Sequence, residues 1–264
     1  INEAGLSAGL FFFPHYGGYK TYDAAQNQRT LADLQVTEWL LSQFSTIDEV
    51  KAALSSVRVV GLEKIAVVHW RIGEPSGRQV VLEIVGGVPH FYENEVGVLT
   101  NAPGFEWQLT NLNNYVNLHP GDASVQKLSG ITLQPTGGNS GFLGIPGDAT
   151  PPSRFVRAAF YRGTAPQRAT GFDTVQQCFH LLNNFDIPIG IEYSQAGDIP
   201  DIPSATQWTS AIDLTNRKVY YKTAYNNSIR CIDLKAIDFS KVKYQSQPLD
   251  KIQEQPVEMV KIPR

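Results

Sequence analysis

Asn101 stands at a junction where a side-chain amide can be aimed. The run Gly97-Val98-Leu99-Thr100-Asn101-Ala102-Pro103 reads as the end of a strand, and Phe105-Glu106-Trp107-Gln108-Leu109-Thr110-Asn111-Leu112 as the helix after it. A strand end lets an amide project from a rigid element into a cleft. The competing reading is an Asx-turn that only opens the Ala-Pro bend. Arg154 poses a similar choice. It falls in the first turn of a helix opened by Pro151, Pro152 and Ser153, where the macrodipole disfavours a cation. Either a specific partner holds it there, or it is a surface arginine paired with Asp148 or another carboxylate. Arg157, one turn on, reads as part of a structural ion pair.

The remaining chemistry-bearing types mostly exclude functions. His15, His69, His90, His119 and His180 show no metal-ligand spacing with another histidine or cysteine. His69 in a strand pattern and His180 on a helix read as satisfied, partly buried residues. Cys178 with His180 as base would be a nucleophile pair, but residues two apart on a helix face different directions. Cys178 and Cys231 instead read as small buried hydrophobes, and two thiols make no disulfide framework. Gly137-Gly138-Asn139-Ser140-Gly141 lacks both the lysine and the strand–helix setting of a phosphate loop.

Several segments in one order resemble the choloylglycine hydrolase family, which includes conjugated bile salt hydrolases and penicillin V acylases. Asn2-Glu3-Ala4-Gly5-Leu6 is similar to its Asn-Glu-x-Gly-Leu segment, and Gly97–Leu112 to its asparagine motif. Gly144-Ile145-Pro146-Gly147-Asp148-Ala149-Thr150-Pro151-Pro152-Ser153-Arg154-Phe155 is similar to Pro-Gly-Asp-x-Thr-Pro-x-Ser-Arg-Phe. His69-Trp70, Phe179–Asn184 and Thr206–Ser210 extend the resemblance to about residue 234. It implies that the Asn101 amide and the Phe12 backbone N–H are the oxyanion donors of an amide-cleaving enzyme, and that Arg154 is the active-site arginine. Relatives carry asparagine or tyrosine where Phe12 stands. A main-chain donor survives that change, while the pocket beside it changes. Phe11 and Phe13 are assigned to the walls of the binding cleft, with one face of the Phe11-Phe12-Phe13 strand expected to be core. Val60 and Leu62, in the Val59–Lys64 segment where the family has a pocket-lining loop, are assigned to acyl-group recognition.

The family's nucleophile is a cysteine at the mature N-terminus, and the sequence from Ile1 holds no such residue. The expectation is a fragment whose missing leading residues carry the nucleophile and base, so that residues 1–264 alone are inactive as an amidase. The implied reaction is hydrolysis of a linear amide, in a bile acid conjugate, penicillin V or related N-acyl compound, through a thioester and without metal or organic cofactor. A non-catalytic homologue that binds acyl compounds or serves assembly is the alternative.

Composition agrees with a soluble globular protein: 42% hydrophobic and 18% charged residues over 264 positions suffice for a sizeable core. The net charge of −3, with no block of like charges, argues against nucleic acid and acidic lipid as partners. No apolar run approaches the roughly 20 residues that span a membrane. The compartment stays open between cytoplasm and periplasm.

The elements expected to position these residues are a strand over 5–13, a loop to residue 30, a helix through Leu34, Thr37, Leu40 and Leu41, and a second helix opened by a Thr46/Glu49 capping box. Strands follow at Ile65–Arg71, Gln79–Val85, Val88–Tyr92 and Val96–Thr100, then the helix over Phe105–Val116. A Gly/Pro/Ser/Asn-rich stretch over Asn117–Gly147 has weak periodicity, and the resemblance implies that it makes a contact in a homotetramer. Two helices and three further strands, Thr209–Leu214, Lys218–Ala224 and Ser228–Leu234, complete the chain. This pattern gives α+β with antiparallel sheets in one domain over 1–264. The resemblance adds a four-layer αββα sandwich of the N-terminal-nucleophile hydrolase type, incomplete at its N-terminus.

Overall fold

The computed structural model describes residues 1–62, 67–192 and 205–263. The chain forms two compact units, one over Leu6–Pro166 and the other over Ile1–Gly5 with Gln167–Arg264.

The first unit is built on a four-stranded antiparallel sheet. Its strands are β1 (Ser7–Phe12), β4 (Val68–Gly73), β5 (Gln79–Val85) and β6 (Val88–Glu93), in the order β1-β4-β5-β6. Two short strands, β2 (Thr30–Ala32) and β3 (Arg58–Val60), form a parallel ladder between the larger elements, where a loop was expected on both sides. Helices α1 (Val36–Gln43) and α2 (Ile47–Leu54) cover one face of the sheet. Val36, Leu40, Ile47, Val50 and Leu54 pack there against Trp70, Ile72, Val80, Leu82 and Ile84. The other face belongs to α3 (Phe105–Asn111) and α4 (Pro151–Thr164), whose Phe105, Phe155 and Ala159 pack on Val81. Both faces are therefore dry, which explains why β5 reads as an almost unbroken apolar run rather than an alternating one. Its one carboxylate, Glu83, is buried on the α3–α4 face.

Local signals behave as the sequence indicates. The Thr46 hydroxyl accepts the Glu49 N–H at 3.2 Å, and the Glu49 carboxylate accepts the Thr46 N–H at 3.1 Å. This reciprocal cap starts α2. Val96–Thr100 differs: it joins no ladder among the described residues. Its carbonyls are taken by side chains instead. Arg162 Nη1 donates to Val96 O at 3.1 Å, Asn94 Nδ2 to Val98 O at 3.1 Å, and His69 to Thr100 O at 2.8 Å. Residues 65 and 66, where the second expected strand, Ile65–Arg71, was to start, lie outside the described residues. Within 117–147 a hairpin of β7 (Gln126–Leu128) and β8 (Ile131–Leu133) forms over Ser129-Gly130. Both turn residues have positive φ, as a type I′ turn requires. Every residue of both strands is exposed.

In the second unit α5 (Gly171–Leu182) packs Val175 and Phe179 against Ala211 and Tyr220 of an antiparallel sheet. The sheet runs β11 (Asn226–Asp233), β10 (Lys218–Thr223), β9 (Trp208–Asp213). Arg217 ties Ile1–Gly5 into this unit by donating from Nε to Glu3 O at 2.5 Å. Cys178 is partly buried, but Cys231, read from sequence as buried, is exposed on the edge strand β11. Among the described residues no helix is long and apolar enough to cross a membrane.

Candidate active site

Thr100 and Asn101 are held from three directions. The Thr100 hydroxyl donates to the carbonyl of Pro151, the first residue of α4, at 3.1 Å. His69 Nε2 lies 2.8 Å from the Thr100 carbonyl. Arg154, in the first turn of α4, donates from Nη2 to Asn101 Oδ1 at 2.7 Å and from Nε to Ala149 O at 2.9 Å. The cation set against the helix dipole thus has oxygen partners, as one of the two sequence readings required.

That contact also fixes the amide. A guanidinium has only donors, so the atom facing it must be the Asn101 oxygen. The Asn101 Nδ2 amino group then points away from the guanidinium, and among the described residues no hydrogen bond from it is seen. The arrangement makes Arg154 an orienter of the asparagine.

The loop ahead of α4 is pinned independently. Asp148 accepts the Thr150 N–H at 2.9 Å and the Ser153 hydroxyl at 2.6 Å. The Ser153 hydroxyl, then that of Thr150, holds its carboxyl down at about 2. Arg157, expected in an ion pair, is buried and donates from Nη1 to the carbonyls of Pro146 at 2.7 Å and Asp148 at 2.8 Å.

Phe12 ends β1, an edge strand with no second neighbour among the described residues. Phe13 N donates to Val67 O at 2.7 Å, continuing the register that pairs Phe12 with Val68 and Phe11 with His69. In an antiparallel ladder hydrogen-bonded and non-hydrogen-bonded pairs alternate. The Phe12 N–H therefore points away from β4, toward the open edge. The Phe12 side chain is about half exposed, at 49%.

A short chain of contacts links this edge to Asn101. Phe13 stacks on His69 with ring centroids 4.3 Å apart and planes 9° apart, and His69 reaches Thr100, the neighbour of Asn101. Of the three residues assigned to catalysis, Asn101 and Arg154 touch. Phe12 is connected to them through Phe13, His69 and Thr100.

The assigned pocket residues diverge. Phe13 is fully buried and belongs to the core beside His69, while Phe11 is half-buried. Val60 is buried in β3, and Leu62 is exposed with its N–H donating to Asp33 at 3.3 Å. The other end of that segment, residues 63 and 64, lies outside the described residues. Burial pushes the Cys178 thiol up, the opposite of what an activated nucleophile needs.

One pair escaped the sequence reading. His69 Nδ1 lies 3.1 Å from Glu83 Oε1, and both side chains are buried. The same oxygen accepts the Phe105 N–H at 2.8 Å, giving α3 the N-terminal acceptor that its cap residue, Gly104, lacks. A lone carboxylate inside the apolar run Val80–Val85 was the available signal.

Comparison with known proteins places the chain in a family. Residues 1–247 match the linear amide C–N hydrolases, choloylglycine hydrolase family. A bile salt hydrolase/transferase of Clostridium perfringens is 33% identical over 239 residues, 89% of this chain and 71% of the relative. A penicillin V acylase of Pectobacterium atrosepticum is 28% identical over 266 residues, 91% of this chain and 62% of that protein. The crystal structure of a mutant conjugated bile acid hydrolase from Clostridium perfringens superposes with a TM-score of 0.83 at 30% identity, covering 99% of this chain and 79% of that one. The penicillin V acylase of Agrobacterium tumefaciens, at 24% identity and a TM-score of 0.70, shares the fold over 91% of this chain and 67% of its own. The α+β fold is thus that of N-terminal-nucleophile hydrolases, and the chain belongs to the choloylglycine hydrolase family of linear amide C–N hydrolases.

Proposed function

We propose that residues 1–264 are part of a single hydrolase domain that cleaves bile acid conjugates, penicillin V or related N-acyl compounds, with a cysteine nucleophile supplied by sequence upstream of Ile1. The thiolate adds to the amide carbonyl carbon. The oxygen takes up negative charge, and the Asn101 Nδ2–H and Phe12 N–H stabilise it. Collapse expels the amine, whose nitrogen takes the proton given up by the thiol, and leaves a thioester, which water hydrolyses to the free acid and the regenerated thiol. Arg154 holds the asparagine amide in the donating orientation. Phe11, Phe13, Val60 and Leu62 shape the acyl side of the cleft, Phe13 and Val60 from within the core. The assembly is a homotetramer to which residues 117–147 contribute.

The observation that carries this reading is the 2.7 Å contact from Arg154 to Asn101 Oδ1. It joins two residues that the family motifs single out separately, and it leaves the donor end of the amide free for substrate. The test is release of amine from glycine- or taurine-conjugated cholate and from penicillin V by protein that includes the upstream sequence. Asn101→Ala is expected to lower kcat by about 100- to 1000-fold. Binding of these compounds without turnover would establish the non-catalytic alternative instead.

A further inference from the structure

His69 is fully buried, and each edge of its ring is engaged. Thr100 O can only accept, so Nε2 carries the hydrogen of that 2.8 Å bond. The Glu83 carboxyl takes the other nitrogen, Nδ1, at 3.1 Å while also accepting the Phe105 N–H. The face of the ring lies on Phe13, and Phe11 meets it edge-on at 6.2 Å and 84°. One ring thus touches the strand end that carries the Phe12 N–H and the carbonyl just before Asn101.

The neighbouring backbone gives this contact its importance. Val96–Thr100 has no ladder among the described residues; apart from the Gly97 N–H bond to Asn94 O at 3.1 Å, side chains hold its backbone. The Thr100 carbonyl would become a buried acceptor without a partner if the imidazole were lost. On the other side, β1 is an edge strand beyond whose end Phe13 is pinned by its bond to Val67 and its stack on His69.

We propose that His69, fixed by Glu83, is the positioning residue that sets the separation of the two oxyanion donors, the Phe12 N–H and the Asn101 amide. This inference rests on the donor assignment made above. His69 reaches the reaction only through Thr100 and Phe13, so its loss acts on the transition state and leaves substrate affinity nearly unchanged.

The test is a double-mutant cycle in the upstream-extended protein, using whichever of glycine-conjugated cholate or penicillin V the wild type hydrolyses. His69→Phe keeps a flat ring against Phe13 and removes the N–H to Thr100. It is expected to lower kcat by about 10- to 100-fold, the scale of an ångström-sized misplacement, with KM changed less than about twofold. His69→Gln, whose amide N–H can reach the same carbonyl, is expected to recover most of that loss. In an Asn101→Ala background, His69→Phe should cost less than about twofold, because the donor it positions is already gone. A slow Asn101→Ala protein in which His69→Phe retains its full effect would overturn the inference alone. An Asn101→Ala protein with wild-type kcat would overturn the donor assignment and the inference with it. Should His69→Phe fail to fold by thermal melt, Glu83→Gln takes its place in the cycle, where coupling supports the inference and additivity refutes it.

Discussion

Asn101→Asp separates the two jobs of this side chain better than truncation does. The substitution is isosteric and keeps the oxygen that faces Arg154 at 2.7 Å. It converts a charge–dipole hydrogen bond into an ion pair at a half-buried position, where the gain is at most about 1 kcal/mol. Melting temperature should therefore hold or rise slightly. The Nδ2 donor, however, becomes a second oxygen. Losing the donor costs about 2.7–4 kcal/mol of transition-state stabilisation. Placing a carboxylate near the developing oxyanion adds a repulsion of about 1 kcal/mol even in a water-like dielectric, and more in a drier site. Asn101→Asp is thus expected to be at least about fivefold slower than Asn101→Ala, while being the more stable of the two. Steady-state hydrolysis and a melt by circular dichroism on the upstream-extended proteins measure both. An aspartate variant as fast as the alanine variant would show that no negative charge develops beside this residue. A destabilised aspartate variant would refute the orientation deduced from Arg154.

Further outcomes follow from other parts of the first unit. Thr46→Ala removes half of the α2 capping box and should cost about 1 kcal/mol, read as a fall in melting temperature. Arg78 and then Lys51 hold the Glu93 carboxyl down at about 2 from 4.5, at hydrogen-bond distances of 2.7 Å each. Its contribution is therefore complete above pH 4.5 and is lost as pH falls toward 2. The stability difference between wild type and Glu93→Gln should shrink over that window and stay flat above it, on the order of 1 kcal/mol or less for so exposed a network. The open edge of β1, with Leu10 and Phe12 exposed, should make residues 1–264 self-associate in light scattering; a monodisperse monomer would contradict this. Leu128→Lys with Ile131→Lys, on the exposed hairpin, should dissociate the proposed tetramer in sedimentation without loss of helix content; an intact tetramer would move the interface elsewhere.

What was legible in the sequence depended on whether the signal was local. Strand β5 was placed at both ends: the turn Glu74-Pro75-Ser76-Gly77 precedes it, and Val80–Val85 is apolar but for Glu83. The start of α4 was set by its two prolines, and α2 by a cap contained within four residues. Val96–Thr100 alternates as a strand does, but its carbonyls accept from Asn94, His69 and Arg162. Only the fold brings the last two near, so periodicity could not separate an extended segment from a paired one. The same limit hid the His69–Glu83 pair, whose members meet across the β4–β5 hairpin. Alternation correctly separated Phe12 from Phe11 and Phe13, but not which face would be core. Cys231 was misjudged because strand pattern does not distinguish an edge strand from a central one. For Arg154 the first-turn position left two readings open and the family motif favoured the functional one; the acceptor, Asn101, is far away in sequence and only the fold supplies it.

In the proposed reaction the acyl group passes to a cysteine outside residues 1–264 while Asn101 stabilises the oxyanion. Acid quenching of the upstream-extended protein during penicillin V turnover, followed by peptide mass spectrometry, tests it most directly. One phenoxyacetyl thioester is expected, on the N-terminal cysteine of the mature protein, with its rate of formation falling by about 100-fold or more in Asn101→Ala. An acyl adduct on Cys178 or Cys231, or robust turnover with every cysteine replaced, would contradict it.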